Sequence, residues 1–284
     1  MIASRSFVAF GSRCQVLAEA ATVDDAAALV RQQLDELDRA CSPSRPDTEL
    51  SRLVRGSLQP AGPVLTEVLA AALRIATRTD GLVDPTCSDA PTRSDAPTEG
   101  PPSAGFFRVV VDQRGRQVLV PRGVQLDVST AARAWAVDRA VWTCAARFGG
   151  PVLVNLGGDI AVGGPLLPGG WQVALAEADP GTATADEETP VVTIRRGAVA
   201  TSSTATSSTA PASRAQDGWR AVTVVASSCE LAAAASAAAL VLAEDAPQWL
   251  ARRGLPARLV GASGYRVYVG DWPADAPTAL RRSA

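Results

Sequence analysis

The sequence predicts an α+β fold, with mixed sheets and helices packed around them. Three observations predict it. Apolar residues recur at helical spacing in two stretches: Val30, Leu34, Leu37 and Cys41 in one, Leu65, Leu69, Ala72, Leu73 and Ala76 in the other. Short Val-rich runs bounded by turn residues read as strands, among them Val109, Val111, Val118 and Val120. The two kinds of segment do not alternate strictly, as they would in a wound parallel sheet.

Taken in order, residues 5–17 read as a strand with a turn at Gly11. Thr22 is placed as a helix N-cap, with Asp25 three residues later in a capping-box-like arrangement, and the first apolar stripe follows. A second helix covers residues 65–79, and Gly81 ends it. Residues 87–104 repeat Ser-Asp-Ala-Pro-Thr from Ser88 and from Ser94 and read as a flexible loop inserted in a single domain, 1–284. Residues 106–120 form a hairpin around Gly115, and residues 131–148 a helix. A short buried strand at 152–155 runs into Leu156-Gly157-Gly158-Asp159. Strands at 171–176 and 191–194 flank a polar, loose stretch at 179–190, and residues 201–210 repeat Thr-Ser-Ser-Thr-Ala. A strand at 221–226, an Ala-rich helix at 229–243, a short helix at 247–253 and strands at 257–260 and 265–269 complete the chain.

Composition removes whole classes of chemistry. The net charge of -2 points to neither nucleic acid nor a membrane surface as the main partner. The chain has no His, and all 27 of its Lys-plus-Arg residues are Arg. A Ser-His-Asp triad, a His metal site, Schiff-base chemistry and a phosphate-loop lysine are therefore excluded. Cys14, Cys41, Cys87, Cys144 and Cys229 are odd in number and lack C-x-x-C spacing, against zinc and against a disulfide framework. The first ten residues show no signal-peptide or lipoprotein pattern and no membrane span is apparent, so the expected location is cytoplasmic.

Three segments carry candidate chemistry. In Leu126-Asp127-Val128-Ser129-Thr130-Ala131-Ala132-Arg133, a strand end passes into a helix through small residues. Such a helix start favours an anion, a pyrophosphate being a good candidate, and Arg133 adds a charge-assisted contact. The alternative is a capped helix with a solvated Arg133. In Asn155-Leu156-Gly157-Gly158-Asp159, a Gly pair after a buried strand permits close backbone approach, and Asp159 is placed to accept hydrogen bonds from a ribose or a ring. A plain tight turn accounts for it equally. Asp80-Gly81-Leu82-Val83-Asp84-Pro85-Thr86 reads as a helix end turning into a loop.

Together, and in this order, these segments resemble the FAD:protein FMN transferase (ApbE-type) family. Phe10-Gly11-Ser12 resembles that family's opening Met-Gly-Thr, and Arg45-Pro46-Asp47-Thr48-Glu49-Leu50-Ser51-Arg52-Leu53 its RPDSELSRL segment. Residues 81–86 resemble its GLFDPT, residues 126–138 its LDLGGIAKGYAVD, and residues 155–159 reproduce its NLGGD. Trp219 opens a match to its late strand. The resemblance implies mixed sheets with surrounding helices and a flavin cleft. It implies FAD as the bound dinucleotide, Mg²⁺ as the metal, and transfer of FMN to a Thr or Ser of a partner flavoprotein. Matched residue by residue, Phe10, Leu82, Val83, Asp84, Asp127 and Arg133 fall at flavin-dinucleotide contacts, and the Thr130 backbone oxygen at the metal. Asn155, Gly157, Gly158 and Asp159 complete the expected cofactor-binding set.

The chain also departs from the pattern. Arg133 replaces the family's Lys. Ala233 and Ala237 stand where the family's Asp and Thr metal ligands are expected, with Ser236 pointing off that face. The His-Asp segment should fall at 207–214, where both residues are missing, so no catalytic residue of that set is intact. Ser203-Thr204-Ala205-Thr206 faintly resembles the acceptor such enzymes modify, and reads more simply as a low-complexity loop. The alternative to the transferase is therefore a catalytically silent flavin- or partner-binding relative.

Overall fold

A computed structural model describes residues 1–42, 45–86, 105–175, 191–204 and 218–273. The expected loops at 87–104 and 179–190, the end of the second repeat and the 207–214 segment lie outside the described residues. The chain opens with a hairpin of β1 (Ile2–Ala9) and β2 (Ser12–Glu19). Phe10 and Gly11 both take positive φ, 50° and 68°, which suits the two-residue turn of a twisted hairpin. The strand expected across 5–17 is thus two strands, reversed at that turn.

Helix α1 (Val23–Cys41) buries Val30, Leu34, Leu37 and Cys41 as their spacing predicts. Its capping box does not form: the Thr22 hydroxyl bonds back to the Glu19 carbonyl at 3.3 Å. Asp24 and Asp25 in the first turn still favour the helix dipole. A one-turn helix α2 (Glu49–Arg52) is capped by the Thr48 side chain, and β3 (Leu58–Pro60) follows. Helix α3 (Pro63–Arg78) starts on a proline and ends where the Gly81 N–H reaches back to Ala76 O at 2.8 Å. The expected hairpin around Gly115 is β4 (Val110–Asp112) and β5 (Gln117–Leu119), which joins β3 in a small sheet of order β3-β5-β4.

The second half holds α4 (Ser129–Phe148), β6 (Val152–Leu156), β7 (Asp159–Gly163), β8 (Trp171–Ala174), β9 (Val191–Ile194) and β10 (Gly197–Ser203). After these come β11 (Trp219–Ala226), α5 (Cys229–Leu242), α6 (Ala246–Arg252), β12 (Ala257–Gly261) and β13 (Arg266–Val269). The main sheet has order β1-β2-β6-β7-β10-β11-β12-β13, with every neighbour antiparallel. Sequence reading missed β7 and β10. The first hides behind a Gly turn, and the second runs into the Thr/Ser repeat.

Strand alternation divides the core in two. Val152, Val154 and Leu156 of β6 face the helices, while Leu153 faces Trp171, Val173, Val192 and Ile194 of the β8–β9 ribbon on the other side. Strand β10 does the same, with Ala198 and Ala200 toward the helices and Val199 toward the ribbon. Those two alanines meet the alanine-rich α5, so helix and sheet touch through methyl groups. Helix α4 packs on α1, α3, α5 and the β6–β7 pair, which makes it the central helix.

One side chain couples the two central helices. Asp138 of α4 accepts the backbone N–H groups of Cys229 at 2.8 Å and Glu230 at 2.9 Å, at the start of α5. Glu230 in turn accepts from Arg74 and Arg78 of α3. Replacing Asp138 by Ala leaves two part-buried donors without an acceptor, a loss of about 1–3 kcal/mol. The urea midpoint of D138A is expected to fall accordingly, and an unchanged midpoint would remove this coupling from the account.

Candidate functional site

The first turn of α4 is where the sequence segments meet. Backbone Asp127 N–H donates to Pro85 O at 2.7 Å, which ties the 126–133 segment to the 80–86 loop. Gly157 N–H donates to Arg13 O at 3.1 Å, so the 155–159 turn lies against the β1–β2 hairpin. Arg133 and Asp159 approach to 3.3 Å, joining that turn to α4. Phe10, Leu37, Cys41, Ser42, Ser129, Ala132 and Arg133 then enclose a cleft of about 130 Å³. Phe10 also lines a neighbouring hollow of about 230 Å³ between the hairpin and α1, with Arg31, Asp35 and Asp38.

Each predicted residue has a definite place. Asp127, just ahead of the Val128 N-cap, accepts the N–H of Ser129, the first residue of α4, at 2.8 Å. The N–H groups of Thr130 and Ala131 belong to the turn that a helix leaves without intrahelical acceptors. Asp84 is buried and knits its own loop: it accepts from the Thr86 N–H and hydroxyl and from the Gly105 N–H. Leu82 and Val83 donate their N–H groups to Thr79, which leaves their carbonyls rather than their amides for a ligand.

In the 155–159 segment the two glycine amides are already taken within the fold. The Gly157 N–H is taken by Arg13 O, and the Gly158 N–H by Asn155 Oδ1 at 3.0 Å. Gly157 and Gly158 have φ of 63° and 99°, the left-handed geometry that lets β6 turn directly into β7. What this turn supplies to the cleft is Asp159, placed behind Arg133.

The pair is asymmetric. The Asp159 side chain is 6% exposed and that of Arg133 is 38% exposed. Burial pushes the Asp159 carboxyl up to about 6, with Arg133 opposing the shift and Asp138 adding to it. Arg133 Nε faces Asp159 without hydrogen-bond geometry, so the contact is an ion pair. Arg133 lines the cleft, and its one ion pair among the described residues is the one with Asp159. Close behind, Cys229 is held as a protonated thiol by burial and by the charges of Asp159 and Asp138. Cys41 lines the cleft, and burial pushes its thiol up to about 12, so it offers no thiolate.

The residues present do not fit Mg²⁺. Ala233 and Ala237 are each 3% exposed and present only methyl groups. Ser236 is fully buried, its hydroxyl shared with Ser202 at 2.8 Å and Ala233 O at 3.2 Å. Among the described residues no three of His, Cys, Asp and Glu stand close enough to hold a metal. What the cleft does offer is the Arg133 guanidinium beside the start of a helix. Sequence reading missed Leu37, Cys41 and Ser42 as cleft residues; their α1 stripe reads as core, and only the fold turns its last turn toward Phe10.

A family model described as the ApbE family matches residues 10–259. Among solved structures, the ApbE protein of Thermotoga maritima superposes with a TM-score of 0.77 at 20% identity, over 95% of this chain and 97% of that one. The Pseudomonas stutzeri flavinyl transferase ApbE in its apo form gives 0.74 at 22% identity, over 95% of each chain. The flavin transferase ApbE from Vibrio cholerae gives 0.72 at 18%, over 95% and 97%. No curated protein sequence matches significantly. Likeness at this identity establishes the fold. Among the described residues, no helix is long and apolar enough to cross a membrane.

The buried carboxyl gives the site a pH signature. The ordinary value of 3.8 is raised to about 6, so between those limits the folded chain keeps a proton that the unfolded chain has lost. That contribution to stability is fully present below the unfolded value and is lost as pH rises through the folded one. Asp159→Asn is expected to flatten this part of the stability profile, measured by urea unfolding from pH 4 to 7. An identical slope in wild type and D159N would show that Asp159 does not titrate there.

Proposed function

The chain belongs to the ApbE family, and from that membership we propose that its cleft receives FAD, with the dinucleotide's phosphates at Arg133 and the first turn of α4. The observation that carries the proposal is the Arg133 side chain. Its Nε stands 3.3 Å from Asp159, the side chain is 38% exposed, and Arg133 lines the cleft. Planar guanidinium nitrogens suit paired phosphate oxygens. The N–H groups of Thr130 and Ala131 add the positive end of a helix. Phe10 forms the facing wall, where a flat ring can rest.

The activity this reading supports is that of a FAD:protein FMN transferase. A Thr or Ser hydroxyl of a partner flavoprotein attacks the FMN-side phosphorus of FAD. The bridging P–O bond breaks, AMP leaves with the bridging oxygen, and the hydroxyl proton passes to solvent. Within that reaction the residues described here bind and orient the dinucleotide: Arg133 fixes its phosphates, Asp159 fixes Arg133, and Asp127 holds the helix start in place.

A second reading, a silent flavin- or partner-binding relative, is favoured by one observation. Helix α5 carries Ala233 and Ala237 where the family resemblance calls for metal ligands, and both are buried. Phosphoryl-type transfer relies on neutralising charge at the phosphates. Arginine alone supplies less of it than a metal centre with its ligands.

One experiment addresses both. FAD, a Thr-bearing acceptor and Mg²⁺ are added to the purified chain, and AMP and labelled acceptor are measured beside FAD binding. AMP with labelled acceptor supports the transferase; FAD binding without AMP supports the silent relative; no FAD binding overturns both. In either reading Arg133→Ala is expected to weaken FAD binding about tenfold or more, since a charged hydrogen bond contributes roughly 1.5–3 kcal/mol. Unchanged affinity in R133A would move the phosphates elsewhere.

A further inference from the structure

We propose that this site holds the diphosphate of its dinucleotide with a fixed side-chain cation, Arg133, and without a divalent metal ion. The inference rests on the FAD reading above and adds what neutralises the phosphates.

Mg²⁺ demands near-octahedral oxygen coordination, and at phosphate sites it keeps several waters and is held by one or two protein carboxylates beside the phosphates. No carboxylate is among the residues that line the cleft, and Asp84, Asp127, Asp138 and Asp159, in the elements around it, each have another task. Asp84 is taken by Thr86 and Gly105, and Asp127 by the Ser129 N–H. Asp138 is taken by the start of α5, and Asp159 by Arg133. Moving any of them onto an ion would strand a donor or a guanidinium in a buried place.

Helix α5 closes the remaining route. Its residues from Ala232 to Ala239 are all buried, packed between β10, β11 and α4. The face that would hold ligands is made of methyl groups, and a doubly charged ion beside them would lose its water without replacement. Among the residues that line the cleft, the positive charge is Arg133. The ion pair with Asp159 at its Nε fixes the direction of the guanidinium, so little side-chain freedom is lost when the far edge meets phosphate.

The test uses the wild-type chain. FAD is titrated by calorimetry in EDTA and again in Mg²⁺, and Mn²⁺ binding is followed by the electron paramagnetic resonance signal of the free ion. Affinities equal within about twofold in the two buffers, with the Mn²⁺ signal undiminished by FAD-loaded protein, are expected. FAD binding that tightens about tenfold or more in Mg²⁺, or stoichiometric loss of the Mn²⁺ signal, would overturn the inference and leave the FAD reading standing. Absence of FAD binding in both buffers would defeat the FAD reading and the inference with it. The variants R133A and R133Q are expected to lose affinity by the same factor in EDTA and in Mg²⁺. Rescue of either by Mg²⁺ would also overturn the inference.

Discussion

The placement of the first turn of α4 is the constraint on which the rest depends. That turn is held from three directions: by the Asp127–Pro85 backbone bond, by the Arg133–Asp159 ion pair, and by the packing of α4 on the β6–β7 pair. None of these contacts is strong alone. Together they bring four stretches far apart in the chain to one place, with Phe10 on one wall and Arg133 on another. Displacing the turn would leave each segment intact and the cleft without a shape.

The electrostatic design follows from a chain with neither His nor Lys. Buried and half-exposed acids serve as acceptors for backbone N–H groups or as counter-ions, and arginines supply the positive charge. Glu230 pairs with Arg74 and Arg78, Glu67 with Arg139 and the Trp135 N–H, and Asp159 with Arg133. Arginine does this well because its planar fork keeps its charge and can serve two directions at once. At Arg133 one direction is protein and the other is the cleft.

Much of the fold was legible because its elements obey local rules. The α1 and α3 stripes, the Gly81 helix end and the Gly115 hairpin follow from periodicity and turn chemistry. The order of the motif segments carried the family. The capping box at Thr22 failed because the hydroxyl found the Glu19 carbonyl, a choice that local spacing does not decide. Strand β10 escaped because Ala198, Ala200 and the Thr/Ser run lack a strand-like composition; neighbouring strands and α5 decide that segment. In the site, Arg133 and Asp127 could be read from a strand-to-helix turn. The committed amides of Gly157 and Gly158 could not, since their acceptors, Arg13 O and Asn155 Oδ1, are set by tertiary geometry.

The seating of α5 on Ala198 and Ala200 has one more consequence. A helix that rests on a sheet through methyl groups leaves no slack between them, so any larger side chain on that face must lift the whole element. Lifting it would pull its first residues away from Asp138 and disturb α4 in turn. Larger side chains on that face would therefore call for coordinated adjustment of β10, α4 and α5.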